Sequence, residues 1–210
     1  MYLPSMTVVY KLLQYVIAFM IGIAFYYGKS SKERTFKKKA IDQFLSYLIN
    51  FIIYIWVAKI VLNLPLFVKD PFAVLPYPST QPMFYLAQFL LGIHLFVQYK
   101  RQKVNKMYLQ DTFMPIMLMS LFIYDFIDFK FNHFNQSLAT FILYSVLILL
   151  FLFIKRVKTW HLVIIWAAIQ LIFASYFSYT TIYGYLIAPY YFIVILLLAF
   201  GYKLWQRRQV

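Results

Sequence analysis

Seven apolar stretches run along this chain, at about residues 8–27, 41–62, 83–99, 107–129, 138–154, 161–178 and 185–204, with polar or basic gaps between them. Each has roughly the 17–25 residues that a bilayer crossing needs. None alternates as a half-buried strand would, so the pattern predicts an all-α membrane protein of seven transmembrane helices in one integral-membrane domain spanning residues 1–210.

The gaps differ in kind. Lys29, Lys32, Arg34, Lys37, Lys38 and Lys39 fill the first; Lys100, Arg101, Lys103 and Lys106 fill the third. Lys155, Arg156 and Lys158 fill the fifth, and Lys203, Arg207 and Arg208 form the tail, whereas the intervening gaps hold only Lys69 and Lys130 as cations. Cytoplasmic loops carry the excess of Lys and Arg, so the N-terminus is expected outside and the C-terminus in the cytoplasm. The uncharged flank Met1–Thr7, followed by a basic gap, has the wrong polarity for a cleaved signal peptide.

Composition narrows the function. A net charge of +14 would suggest a nucleic-acid partner in a soluble domain. Here the cations are a topology signal and no nucleic-acid partner is expected. Cysteine is absent, which excludes thiolate chemistry, and no cofactor or metal motif is present. The loop Asn63–Pro82 contains Pro65, Pro71, Pro76, Pro78 and Pro82, a density that forbids a continuous helix. With Phe67, Phe72 and Tyr77 interleaved, it reads as an ordered flap on the outer headgroups or as a plain aromatic anchor.

Ionisable groups within spans cost about 2.5–3.5 kcal/mol each at the centre on insertion scales, so each needs a reason. Counting about 1.5 Å per residue from the cytoplasmic ends places Lys59, Asp125 and Asp128 near the outer interface. Asp125 and Asp128 share a helix face, and His133 and Gln136 follow in the adjoining loop. These five make a candidate outer-leaflet polar site; the plainer alternative is a snorkelling lysine beside two interfacial acids. Asp42 and Asp111, one turn inside the cytoplasmic ends of their helices, read as structural acids able to pair with neighbouring Lys or Arg. His94 lies near mid-membrane, where a helix-to-helix hydrogen bond is expected, with proton handling the alternative.

The order of several short matches resembles the bacterial prolipoprotein diacylglyceryl transferases. They run from Asp42 through Lys59, Asn63-Leu-Pro-Leu-Phe, Asp70-Pro71, Leu90-Leu91-Gly92 and Tyr99-Lys100-Arg101. Asp111, Pro115, Asp125-Phe126-Ile127-Asp128, His133 and Gln136 continue the series. The resemblance implies seven spans, N-terminus out, and transfer of diacylglyceryl from phosphatidylglycerol to a lipoprotein cysteine. The chain departs from the family where chemistry resides. Leu86-Ala87-Gln88 stands for a His-Gly-Gly, Phe122 for an arginine, both Asp125 and Asp128 for asparagines, and Ala139 near a glutamate.

Three functions follow as expectations. A diverged relative without transfer activity would bind an anionic phospholipid such as phosphatidylglycerol, or a lipoprotein or membrane partner, at the outer leaflet. Lys59 would hold the phosphate, with Asp125, Asp128 and Gln136 orienting the head group. An active transferase with a rebuilt site would use His133, or Asp125 beside Asp128, as its base. A small-molecule permease, or its substrate-binding subunit, would instead show a polar mid-membrane interior and interrupted helices.

Overall fold

The computed structural model describes residues 6–74, 79–101, 104–132, 135–153 and 159–207. Among them eight α-helices account for nearly all of the chain: α1 (Met6–Lys29), α2 (Arg34–Leu62), α3 (Leu64–Lys69), α4 (Gln81–Lys100), α5 (Lys106–Asn132), α6 (Asn135–Phe153), α7 (Thr159–Phe177) and α8 (Pro189–Arg207). Three helical segments of the described chain, Val9–Lys29, Arg34–Leu62 and Lys106–Phe131, are long and apolar enough to cross a membrane, and the shorter helices Leu138–Phe153, His161–Phe177 and Pro189–Gly201 are apolar as well. The chain is a helical membrane protein. In hydrocarbon every backbone N–H and C=O must be satisfied within the protein, which is why runs rich in aromatic and β-branched residues become helices here.

The helices fall into two compact units: residues 32–110, and residues 1–31 with 111–210. In the first of these, α2 starts two turns earlier than the apolar stretch, because nothing between Arg34 and Ile41 breaks a helix. It packs against α4, with the rings of Phe51 and Phe84 edge to face at 5.7 Å, and Ala58, Phe44 and Phe84 are buried. The proline-rich loop is broken as expected into α3 and a 3-10 turn at Pro71–Val74, with Pro65 and Pro82 in the first turns of α3 and α4, where a missing N–H costs nothing. The expectation for Pro76, Tyr77 and Pro78 lies outside the described residues.

The other unit is built on α5, whose residues Thr112, Met114, Ile116, Leu118, Ser120, Leu121, Tyr124 and Asp125 are all buried. One stripe of α1, Gln14, Ala18, Gly22 and Tyr26, repeats every four residues and is buried too. At Gly22 the backbones come so close that an added Cβ would lie 2.8 Å from the carbonyl oxygen of Ile116. At the other end of the stripe Tyr26 donates to Asp111 Oδ2 at 2.7 Å, and Ser30 donates to the same oxygen at 3.5 Å. The sequence suggested a cation as partner of Asp111; the described partners are two hydroxyls.

The seventh apolar stretch departs from expectation. Residues from Tyr185 were expected to start the last span, but Tyr185–Ile187 is a strand, β2, paired antiparallel with β1 (Thr180–Ile182), and α8 begins only at Pro189. The physical reason is local. Thr180-Thr181-Ile182 favours extended backbone, and the two-residue turn Tyr183-Gly184 has φ of 51° and 77°, the positive pair that a tight hairpin of type I′ needs. Pro189 then fixes where a helix can restart. Asparagine, aspartate or glycine usually fills the first turn position, so Tyr183 must be held by something else. Its ring stacks on Phe19 at 5.3 Å and meets Tyr124 edge-on at 5.5 Å, its carbonyl accepts from Tyr15 at 2.7 Å, and its hydroxyl bonds Ser120. Gly184 leaves the space that the Tyr124 hydroxyl occupies, 2.7 Å from where a Cβ would be. Ser120 stands twelve residues, about 18 Å, inside the C-terminal end of α5, so the hairpin tip is packed within the helices of this unit.

Candidate functional site

The polar residues buried in this second unit form connected runs. On α6 and α7, Tyr144 and Gln170 are fully buried, and Gln170 Nε2 donates to the Tyr144 hydroxyl at 2.9 Å. The Gln170 carbonyl oxygen accepts from Thr180 of β1 at 2.9 Å. One amide therefore ties α6, α7 and the hairpin together. A second run joins Tyr15, Tyr183, Ser120 and the thioether of Met117, whose sulfur lies 3.8 Å from the Tyr183 hydroxyl. In a lipid environment such hydrogen bonds fix helix positions that apolar packing alone leaves loosely specified.

A third group has acceptors left over. Asp125 is only 2% exposed, its carboxyl is hydrogen-bonded to Thr140 of α6, and its Oδ2 has no hydrogen-bond partner. Gln14 of α1, equally buried, donates through Nε2 to the carbonyl of Tyr124 at 2.9 Å, beside Asp125 in the chain, while its Oε1 is also without a partner. The Tyr10 hydroxyl, one turn before Gln14, lacks one too. A buried acceptor left unsatisfied costs about 1–3 kcal/mol, so this carboxyl oxygen and this amide oxygen are the two places in the unit where a hydrogen-bond donor would be most favourable. No group of three or more His, Cys, Asp or Glu side chains able to hold a metal occurs among the described residues.

Of the sequence-derived site residues, Asp125 and Asp128 share α5, the former enclosed and the latter partly exposed. Lys59 is partly buried in the last turn of α2, in the other unit. His133 and the side chain of Gln136 lie outside the described residues. Other residues that carried the resemblance have local structural tasks. The Asn63 side chain caps α2 by donating to the Lys59 carbonyl at 2.8 Å, and Asp70 caps the 3-10 turn by accepting from the N–H of Phe72 at 3.0 Å. Phe122 stacks on Phe141 at 4.8 Å between α5 and α6. His94 makes the expected helix-to-helix bond, to Tyr54 of α2 at 2.6 Å.

Sequence reasoning missed Gln14, Ser120, Thr140, Gln170 and Tyr183. Gln14 and Gln170 were visible as amides far inside apolar stretches, the same signal that drew attention to His94. The chain matches no family model, no curated protein and no solved structure.

Proposed function

We propose that the chain is a seven-span inner-membrane protein, N-terminus outside and C-terminus cytoplasmic, that binds a phospholipid at the outer leaflet and does not carry out diacylglyceryl transfer. The observation that carries this reading is Asp125. Its carboxyl is enclosed between α5 and α6, with one oxygen engaged near Thr140 and the other buried without a hydrogen-bond partner. Such a group suits acceptance of a hydrogen bond from a head-group hydroxyl, as on the terminal glycerol of phosphatidylglycerol. It suits poorly a base that must meet a bulky peptide thiol at the surface. Asp128, one turn nearer the outside, would extend the same recognition. Lys59, in the other unit, is offered to a lipid phosphate on its own account.

The test uses the full-length protein in nanodiscs of phosphatidylglycerol. Asp125→Asn keeps the shape and is expected to lower retention of that lipid by about tenfold, the loss of one hydrogen bond, while leaving the thermal midpoint unchanged or higher. Transfer of labelled diacylglyceryl to a lipobox peptide, with an authentic transferase alongside, is expected to be absent. Asp125-dependent transfer would overturn the reading in favour of a rebuilt enzyme.

A second reading, a solute permease or its binding subunit, is favoured by the non-helical hairpin inside the bundle and the polar runs around it, features that line substrate paths in transporters. The two part at Ser120. Because the chain has no native cysteine, a Ser120→Cys protein reports water access without background. A lipid site predicts no reaction with a charged thiol reagent from outside; a solute path predicts rapid labelling.

A further inference from the structure

A cleft of about 370 Å³ opens between α2 and α4, in the unit that holds none of the acidic site. Its wall is apolar, made by Leu90, Ile93 and Val97 on one face of α4. Its polar groups are ordered along that helix. His94 Nδ1 lies 2.6 Å from the Tyr54 hydroxyl, and Gln98 Nε2 lies 3.1 Å from His94 Nε2. Whichever ring nitrogen carries the proton, these two bonds leave one Gln98 amide N–H over to donate into the cleft.

Arg101, two turns or about 10 Å beyond His94, lines the mouth of the same cleft. Its neighbours are cationic as well, with Lys100 over the Phe96 ring at 4.9 Å and Lys106 over the Tyr99 ring at 4.3 Å. Ile93 and Val97 are 46% and 40% exposed, so the wall continues onto the outer surface of α4.

From this juxtaposition we infer that the α2–α4 cleft binds one anionic phospholipid of the cytoplasmic leaflet. Its phosphate sits on Arg101, an ester carbonyl accepts from the Gln98 amide, and an acyl chain lies along Leu90, Ile93 and Val97. The volume falls within the range of small-molecule sites, and the arrangement of one guanidinium, one inner donor and an apolar wall matches a lipid from phosphate to tail. The leaflet rests on the orientation proposed above; the cleft and its chemistry do not.

The test is native mass spectrometry of the full-length protein in a zwitterionic detergent, supplied with dioleoylphosphatidylglycerol or dioleoylphosphatidylcholine. Arg101→Ala is expected to reduce retention of the anionic lipid about tenfold and to leave the zwitterionic one unchanged, with Gln98→Leu showing a smaller loss and Arg101→Lys a partial recovery. An unchanged retention in Arg101→Ala, equal loss of both lipids, or displacement by millimolar inorganic phosphate would overturn the inference. Asp125→Asn separates it from the outer-leaflet reading: loss in that protein alone sinks the cleft and leaves the earlier proposal standing, and loss in Arg101→Ala alone does the reverse. Labelling of Asn105→Cys from the cytoplasmic side only supports the leaflet assignment, and labelling from outside removes it.

Discussion

Gly22→Leu is expected to be the most damaging single change in the chain, lowering stability by about 3 kcal/mol, and Gly22→Ala by about 1–2 kcal/mol. The atom in the way is the Ile116 carbonyl oxygen, 2.8 Å from the position of a new Cβ, with Ser120 Cβ at 3.3 Å behind it. A flexible side chain could swing aside, but a helix backbone cannot, so α1 and α5 must separate. That separation would also open the contacts on either side of Gly22 along the same stripe, Gln14 on Tyr124 and Tyr26 on Asp111. The control has the opposite sign. Gly28, Gly92 and Gly201 have nothing within 4 Å of a built Cβ. At these helical sites alanine is expected to be neutral or to add about 0.5–1 kcal/mol. Thermal midpoints of the purified variants in one detergent decide it. A Gly22→Ala protein as stable as Gly92→Ala would mean that the close approach of α1 and α5 contributes nothing.

Gln170→Leu should be the next largest loss, about 2 kcal/mol. Deleting the amide strands two hydroxyls, Tyr144 and Thr180, at sites with no exposure. Each stranded group costs about 1–3 kcal/mol in proteins generally, but hydrogen bonds between membrane helices average only about 0.6 kcal/mol in cycles, because alternative partners are found. Here the lower figure is raised by enclosure, since Thr180 belongs to a strand with no freedom to turn elsewhere. The Gln170→Leu, Tyr144→Phe double variant is expected to be more stable than Gln170→Leu alone, since the second change removes an orphaned hydroxyl. Purely additive losses in that cycle would show that the run is a set of independent contacts.

Much of the fold was legible in the sequence. Apolar length alone located α1, α4, α5, α6 and α7 to within a few residues, because in lipid a long apolar run has almost no alternative to a helix. The proline-rich loop was legible for the same kind of reason, since Pro65, Pro71 and Pro82 restrict backbone regardless of context. The hairpin was not. Tyr185, Leu186 and Ile187 are as apolar as the helix that follows, and only the pairing with Thr180–Ile182 makes them a strand. The site was read in part. Asp125 announced itself as a carboxyl within a span, but hydropathy gives depth along an axis and not direction around it, so its enclosure beside Thr140 needed the structure. Gln14 and Gln170 carry no charge and were passed over, although an amide deep in a span poses the same problem of satisfaction. The acidic pair and Lys59 were grouped by depth alone, since each stands near one end of its helix, and they belong to different units.

The bond from Tyr15 to the Tyr183 carbonyl joins residues 168 apart in sequence. During synthesis α1 is made long before the hairpin that completes its packing, which arrives only after α7. Until then Tyr15, Phe19 and the Ser120 hydroxyl face lipid or makeshift neighbours, and the hairpin itself has no tolerable place in hydrocarbon unless α1, α5 and α6 already stand around it. Assembly is therefore ordered from both ends of the chain, with closure late.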